Sequence, residues 1–375
     1  MQILRNGPNA AVTTAALIDC DVHSTVPNVE ALFPYLPRHW IEHVNQSVFK
    51  GASATYYPPH APVAARPDSI PPDGPAGSSL GLLRAQVLDP LGVEVAIVNC
   101  LYAIDSLHNP EAAVAFARAV NDWQIAEWLE KDARLRASIV VPVQLPELAA
   151  AEIARVGDHP GFVQVLLPVR SEHPYGSRLF RPLWEAIAKR NLVAGIHFGG
   201  APGNPPFPSG WPSYYFEEYA GMAQVFQSQL ASVISEGVLD LFPTVRIALL
   251  ESGFTWLPAF MWRFDKEWRN LRRLVPWVKR APSEYIREHV RLTIQPLDAP
   301  PAWRDMERTI AQIDGDQMFL FATDYPHMHS TNPLETLLPQ LPDALARKIR
   351  YENARDLYGL LLPVGVDPSG RIEEE

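Results

Sequence analysis

Residues Phe162–Phe198 read FVQVLLPVRSEHPYGSRLFRPLWEAIAKRNLVAGIHF, and this stretch decides the fold. Phe162–Leu167 (FVQVLL) and Val193–Phe198 (VAGIHF) are short, near-continuous apolar runs rich in β-branched residues. Strands without polar alternation are those covered on both faces, as in a parallel sheet. Between them Leu179–Arg190 is helix-compatible, so the stretch is a strand–helix–strand unit. Similar runs recur at Leu17–Asp21, Val95–Cys100, Ala137–Val143, Val245–Leu250, Val290–Ile294 and Met318–Ala322. Further helix-compatible stretches lie at Pro110–Asp132 and Gln340–Leu357. Eight strands alternating with helices predict an α/β protein, a closed (β/α)8 TIM barrel whose core runs from about 17 to 360 as a single domain. An open doubly wound sheet is the alternative, but no G-x-G-x-x-G follows the first strand to support it.

Composition agrees with one large soluble domain. The 375 residues are 47% hydrophobic and 20% charged, enough apolar material to bury a sizeable core, which excludes disorder as the main state. The 42 acidic residues outnumber the 32 basic ones, for a net charge of −10, and no Lys/Arg block offers a surface to track phosphates. Nucleic acid is therefore not expected as a partner. Nor is a membrane, since nowhere do 18 uncharged apolar residues run together. The N-terminal stretch lacks a charged segment followed by a long apolar one and reads as a poor signal peptide. Two cysteines, Cys20 and Cys100, each in an apolar run, cannot build a disulfide framework and read as reduced, buried thiols. The expected compartment is the cytoplasm.

Two insertions enlarge the barrel. The first, from His43 to Ser79 after strand one, reads as a loop. Its core, YYPPHAPVAARPDSIPPDGPAGSS, holds seven prolines, which break both regular structures. It is a flexible linker, a lid or an arm. The second, Gly199–Tyr215 (GGAPGNPPFPSGWPSYY), follows strand five on the face where barrel enzymes carry their active sites. Its Phe207, Trp211, Tyr214 and Tyr215 are candidates to wall a pocket for a planar or apolar small-molecule substrate. The terminal EEE is expected to be frayed and solvated.

Three strings place metal-ligand side chains at strand ends: Asp21 and His23 in DCDVH, His197 in GIHFGG, and Asp324 in FATDYPH. Residues two apart on an extended segment point the same way, so Asp21 and His23 are able to reach one ion. Carboxylate and imidazole ligands suit Zn2+, Mn2+ or Fe2+. Taken singly, an Asp after a strand is often a helix cap and a buried His a satisfied core residue. Their convergence on one end of one barrel is what points to a site.

With these residues in view, the chain resembles the amidohydrolase superfamily, in the branch called amidohydrolase family 2, the aminocarboxymuconate-semialdehyde decarboxylase-like metal enzymes. The resemblance rests on the order and spacing of IDCDVH, IHFGG, LLESGFTWLPAFMWRFD, FATDYPH and YENARDLYGL between Leu17 and Leu360. It implies a (β/α)8 barrel with one divalent metal, sometimes two, held by Asp21, His23, His197 and Asp324. It also implies a frequent homodimer, for which the aromatic stripe Trp256, Phe260, Phe264 and Trp268 is either core or interface. The chain departs from the family at two places. The first pair is Asp21-x-His23 where many members have H-x-H or E-x-H. Glu251 stands where many carry an acid/base His after strand six, and is expected to polarise water, to bind a second metal, or merely to pair with Arg263.

Further candidates are His327 and His329, beside Asp324, and Arg170 and Arg263, able to neutralise a substrate carboxylate by bidentate contact. Asn121, with Asp122 and Trp123, is expected to brace the barrel's outer layer, and Asn353 to brace the last helix against the strand-eight loop that carries Asp324. The favoured expectation is a hydrolase using a metal-activated water on an amide, ester, lactone or thioester, with Asp324, Glu251 and His197 in catalytic roles and Zn2+ as first choice of metal. Its runner-up is a non-oxidative decarboxylase of an aromatic or unsaturated acid. A barrel that has lost catalysis and serves as a binding module is the third reading.

Overall fold

The computed structural model describes residues 16–57, 65–329 and 331–360. The terminal EEE and the first fifteen residues lie outside them. Eight parallel strands pair in chain order: β1 Leu17–Ser24, β2 Val93–Cys100, β3 Leu135–Val140, β4 Phe162–Pro168, β5 Val193–His197, β6 Arg246–Leu250, β7 Val290–Thr293 and β8 Phe319–Leu320. The ring closes where Cys20 N–H donates to Phe321 O at 2.9 Å and His23 N–H to Tyr325 O at 2.7 Å. Asp19 reinforces the seam by accepting the Thr323 hydroxyl at 2.6 Å and its N–H at 3.0 Å. This is the (β/α)8 barrel predicted, and the open sheet is excluded.

The strands are where the β-branched runs place them, and every residue of β1 and β5 is buried, the polar Asp19, Asp21, His23, Ser24 and His197 included. The main helices outside them are α1 Arg38–Gln46, α2 Pro110–Gln124, α3 Pro146–Val156, α4 Arg181–Lys189, α5 Tyr215–Ser235, α6 Leu257–Leu271, α7 Pro282–His289, α8 Trp303–Gln312 and α9 Asn353–Tyr358. Asn109 caps α2 by accepting Ala112 N–H at 3.0 Å, with Pro110 at the first helical position, where its missing N–H costs nothing. Cys20 and Cys100 are buried free thiols. No helix among the described residues is long and apolar enough to cross a membrane.

The Pro-rich insertion is not a loose linker in its described parts, and its first residues are helical, since His43 lies in α1. Ser53 O accepts Ala103 N–H, Tyr56 O accepts Gly200 N–H, Arg66 N–H donates to Pro326 O, and Gly77 O accepts Thr25 N–H. These bonds tie it to the loops that follow β1, β2, β5 and β8, so it lies over the C-terminal mouth of the barrel. Tyr56 and Tyr57 are buried there.

Candidate metal centre

At that mouth the strand ends bring together the residues singled out above. A bulge in β1 between Asp19 and Val22 shifts the register against β2, a device that re-aims side chains. Asp21 Oδ1 then lies 3.7 Å from His23 Nε2, and Asp21 Oδ2 lies 3.6 Å from His197 Nε2. Glu251 Oε1 is 3.6 Å from His23 Nε2 and 3.4 Å from His197 Nε2. Asp324 Oδ1 lies 2.7 Å from His23 Nε2 and 2.8 Å from His327 Nδ1, while its Oδ2 lies 2.6 Å from His329 Nε2. Asp21, His23, His197, Glu251 and Asp324 are all buried.

The tautomers are set for ligation. His23 Nδ1 lies 3.1 Å from Asn99 O and His197 Nδ1 lies 2.7 Å from Phe198 O. A carbonyl can only accept, so each Nδ1 carries a proton and each Nε2 faces the cluster. Two ligand atoms, Asp21 Oδ2 and His197 Nε2, are buried without a hydrogen-bond partner. Unpartnered buried polar atoms are costly, and a cation between them satisfies both. The donor set therefore fits a divalent metal. The atoms gather in two overlapping sets, Asp21–His23–His197–Glu251 and His23–Glu251–Asp324–His327, which share two residues.

Electrostatics point the same way. Burial opposes a proton on His23, but Asp21, Asp324 and Glu251 raise its pKa well above the usual histidine value. Burial likewise opposes charge on His197, which Glu251 and Asp21 outweigh. Asp324 resists ionisation through burial, yet His327, His23 and His329 hold it well below the ordinary carboxylate range. Three carboxylates in one buried cluster attract positive charge as protons or as a metal ion. Glu251 and Asp324 also adopt left-handed backbone, at φ 56° and 59°. Such conformations cost about 1 kcal/mol or more and gather at functional sites.

Sequence reasoning missed Tyr57, whose hydroxyl donates to Glu251 Oε1 at 2.5 Å. Its ring packs against Phe198 at 5.5 Å and His327 at 5.2 Å, and Phe198 meets Tyr219 at 5.1 Å. An aromatic wall thus borders the cluster. Two aromatics expected in it are elsewhere: Trp211 is 65% and Tyr214 72% exposed, because both precede α5 on the outer rim. Tyr215 is half-buried, and burial first, then Glu251 and Glu218, raise its hydroxyl pKa. Arg263 is on the exposed side of α6, and no ion pair or hydrogen bond joins it to Glu251 among the described residues. Arg170, at the end of β4, is buried and already engaged, donating to Glu218 Oε1 at 3.0 Å and Asn204 O at 2.9 Å. It faces a side cavity of about 350 Å3 lined by Ser171, Phe207 and Gln224, among others.

Comparison with known proteins agrees with this geometry. A family model described as amidohydrolase matches residues 18–360. The gamma-resorcylate decarboxylase of Polaromonas sp. strain JS666 is 27% identical over 301 residues, covering 74% of this chain and 86% of the relative. The crystal structure of 5-carboxyvanillate decarboxylase from Sphingomonas paucimobilis superposes with a TM-score of 0.67 at 20% identity, covering 92% of this chain and 100% of that one. That of dihydroxybenzoic acid decarboxylase from Polaromonas sp. JS666, with bound manganese and the inhibitor 2-nitroresorcinol, gives 0.63 at 22%, covering 92% and 97%. These findings correct the hydrolytic expectation: the relatives are named for loss of a carboxylate, a reaction without an attacking water.

Proposed function

The chain belongs to the amidohydrolase family, and from that premise we propose that it is a divalent-metal-dependent, non-oxidative decarboxylase of an aromatic acid bearing a hydroxyl beside its carboxylate. The relatives' substrates, 2,6-dihydroxybenzoate and 5-carboxyvanillate, share that arrangement. Asp21, His23, His197, Glu251 and Asp324 would hold the ion, with Glu251 common to both ligand sets. Bound there, a divalent cation supplies positive charge to hold the carboxylate and the neighbouring phenolic oxygen.

The observation that carries this reading is Asp324 with its three imidazoles. Decarboxylation delivers a proton to the ring carbon that carries the carboxylate; the C–C bond breaks, its electron pair restores the ring, and CO2 leaves. One proton is consumed per turnover. His327 and His329, partly exposed on the same loop and hydrogen-bonded to the Asp324 carboxylate, supply that proton through Asp324 and regain one from solvent. Tyr57, Phe198 and Tyr219 flank a planar ring. Glu251, fixed by the Tyr57 hydroxyl, orients the phenolic group. Trp211, Tyr214 and Arg263 are left out of the site, and Arg170 is given a structural role as the partner of Glu218.

We take Mn2+ ahead of the Zn2+ favoured from sequence. Three carboxylates make an oxygen-rich set that suits it, and the Polaromonas structure holds manganese. One ion per chain fits two ligand sets that share His23 and Glu251. A homodimer is supported by the exposed apolar residues Trp262, Leu271, Leu274 and Trp277, on α6 and the segment after it, and light scattering will measure it.

The test is to strip the metal, reload with Mn2+, Zn2+ or Fe2+, and assay CO2 release from ortho-hydroxybenzoates beside a panel of amides, esters and lactones. CO2 release restored by metal, and reduced about 1,000-fold by Asp324→Asn with the fold intact, is expected. Hydrolysis of the panel without CO2 release would overturn the proposal.

A further inference from the structure

The orientation of Asp21 is set from inside the barrel. Its Oδ1 accepts Asn99 Nδ2 at 2.8 Å. Asn99 Oδ1 accepts the Ser138 hydroxyl at 2.5 Å and Gln164 Nε2 at 3.1 Å. Gln164 Nε2 also donates to Ser138 Oγ at 2.8 Å, and Gln164 Oε1 accepts the Tyr358 hydroxyl at 2.8 Å. Strands β1 to β4 contribute one member each and α9 the fifth, and all five are buried.

The direction of this chain is forced at one end. Asp21 Oδ1 accepts here, so Asn99 turns its amide N–H2 toward it and its carbonyl away. That carbonyl needs donors, which Ser138 and the Gln164 amide supply, and the Gln164 carbonyl is left for Tyr358. β5 makes room for it, since a Cβ on Gly195 would lie 2.4 Å from the Gln164 side chain. A polar layer in an otherwise apolar barrel costs desolvation that an aliphatic layer would avoid. Its cost is explained if it fixes something, and its one ionisable carboxylate is Asp21.

We propose that Asn99, backed by Ser138 and Gln164, is a positioning residue that locks the Asp21 carboxylate with Oδ1 toward the barrel interior and Oδ2 toward the metal position. The unpartnered state of Asp21 Oδ2, 3.6 Å from His197 Nε2, is what such a lock produces. This rests on the metal-centre reading given above.

The experiment is Mn2+ titration of the chelated full chain, followed by the electron paramagnetic resonance signal of free Mn2+, on wild type, Asn99→Leu and Ser138→Ala. Thermal unfolding of each metal-free form is measured alongside. Asn99→Leu is expected to bind Mn2+ about 10- to 100-fold more weakly at temperatures where it is fully folded. Ser138→Ala, which removes one donor holding the Asn99 amide, is expected to lose about threefold and decides the matter if Asn99→Leu does not fold. A merely structural role would lower the unfolding temperature and leave Mn2+ affinity unchanged, which would overturn this proposal alone. A wild-type chain that binds no divalent ion overturns the metal reading and this one with it.

Discussion

Tyr57 comes from a segment whose composition says only that it is irregular, yet its hydroxyl sits on Glu251 across 194 residues of sequence. Tyr57→Phe keeps the ring against Phe198 and His327 and removes one hydrogen bond to a carboxylate, worth about 1.5–3 kcal/mol. We expect kcat/KM to fall roughly tenfold or more with Mn2+ affinity within about threefold of wild type. Steady-state kinetics beside metal titration measure both, and an unchanged kcat/KM would remove Tyr57 from the site. Asp21, His23, His197 and Asp324 were legible because each ends an apolar run, and strand ends on one face of a barrel converge. Tyr57 and Asn99 were not, because what places them is tertiary. Nothing local marks a Tyr between Pro-rich segments or a buried Asn whose partner is 78 residues away. The positive φ of Glu251 and Asp324 was equally invisible, since an Asp or Glu after a strand is common.

At the level of elements, unbroken β-branched runs located all eight strands within a few residues. Helix ends were less legible. Pro110–Asp132 reads as one helix, whereas α2 gives way to a π-turn at Ile125–Leu129. Gln340–Leu357 is three pieces, Asp343–Arg347, a π-turn at Lys348–Glu352, and α9. The bracing role read for Asn121 holds, whereas Asn353 braces the opposite end of β8 from the Asp324 loop expected for it. Asn353 Nδ2 donates to Asp316 O at 3.0 Å and Phe319 O at 2.9 Å, fastening α9 to the start of β8. Asn121 Nδ2 donates to Val140 O at 2.9 Å and Glu152 Oε1 at 2.8 Å, and its Oδ1 accepts Val140 N–H at 2.9 Å, joining α2, β3 and α3. Asn121→Ala strands buried groups on both neighbours and is expected to cost about 3 kcal/mol. Urea unfolding with an unchanged m-value checks it; a loss under about 1 kcal/mol would show the bracing to be redundant.

For the whole molecule, fold was legible and reaction class was not. One carboxylate–imidazole set serves either hydrolysis or decarboxylation, and the choice lies in loops that share no local pattern. Stability is tied to pH through Asp105, whose Oδ2 accepts Ala201 N–H at 2.6 Å and anchors the loop after β5. Burial pushes its pKa from 3.8 up to about 6, against the opposing pull of the Ala201 bond. A folded pKa above the unfolded one gives stability that is full below about 4 and lost as pH rises through about 6. Asp105→Asn should therefore gain on wild type by up to about 3 kcal/mol between pH 4 and 7. A difference constant with pH, by denaturant unfolding of the metal-free forms, would contradict this. Metal at 100 times its Kd should add about 2.7 kcal/mol, and less in acid, because His23 and His197 must shed protons to bind it. The most direct test of the central claim is turnover of 2,6-dihydroxybenzoate by the Mn2+-loaded chain in D2O, followed by NMR. The expected product is resorcinol with one deuterium at the carbon that lost CO2, absent after chelation. Intact substrate under metal loading, with none of the ortho-hydroxybenzoates losing CO2, would contradict it.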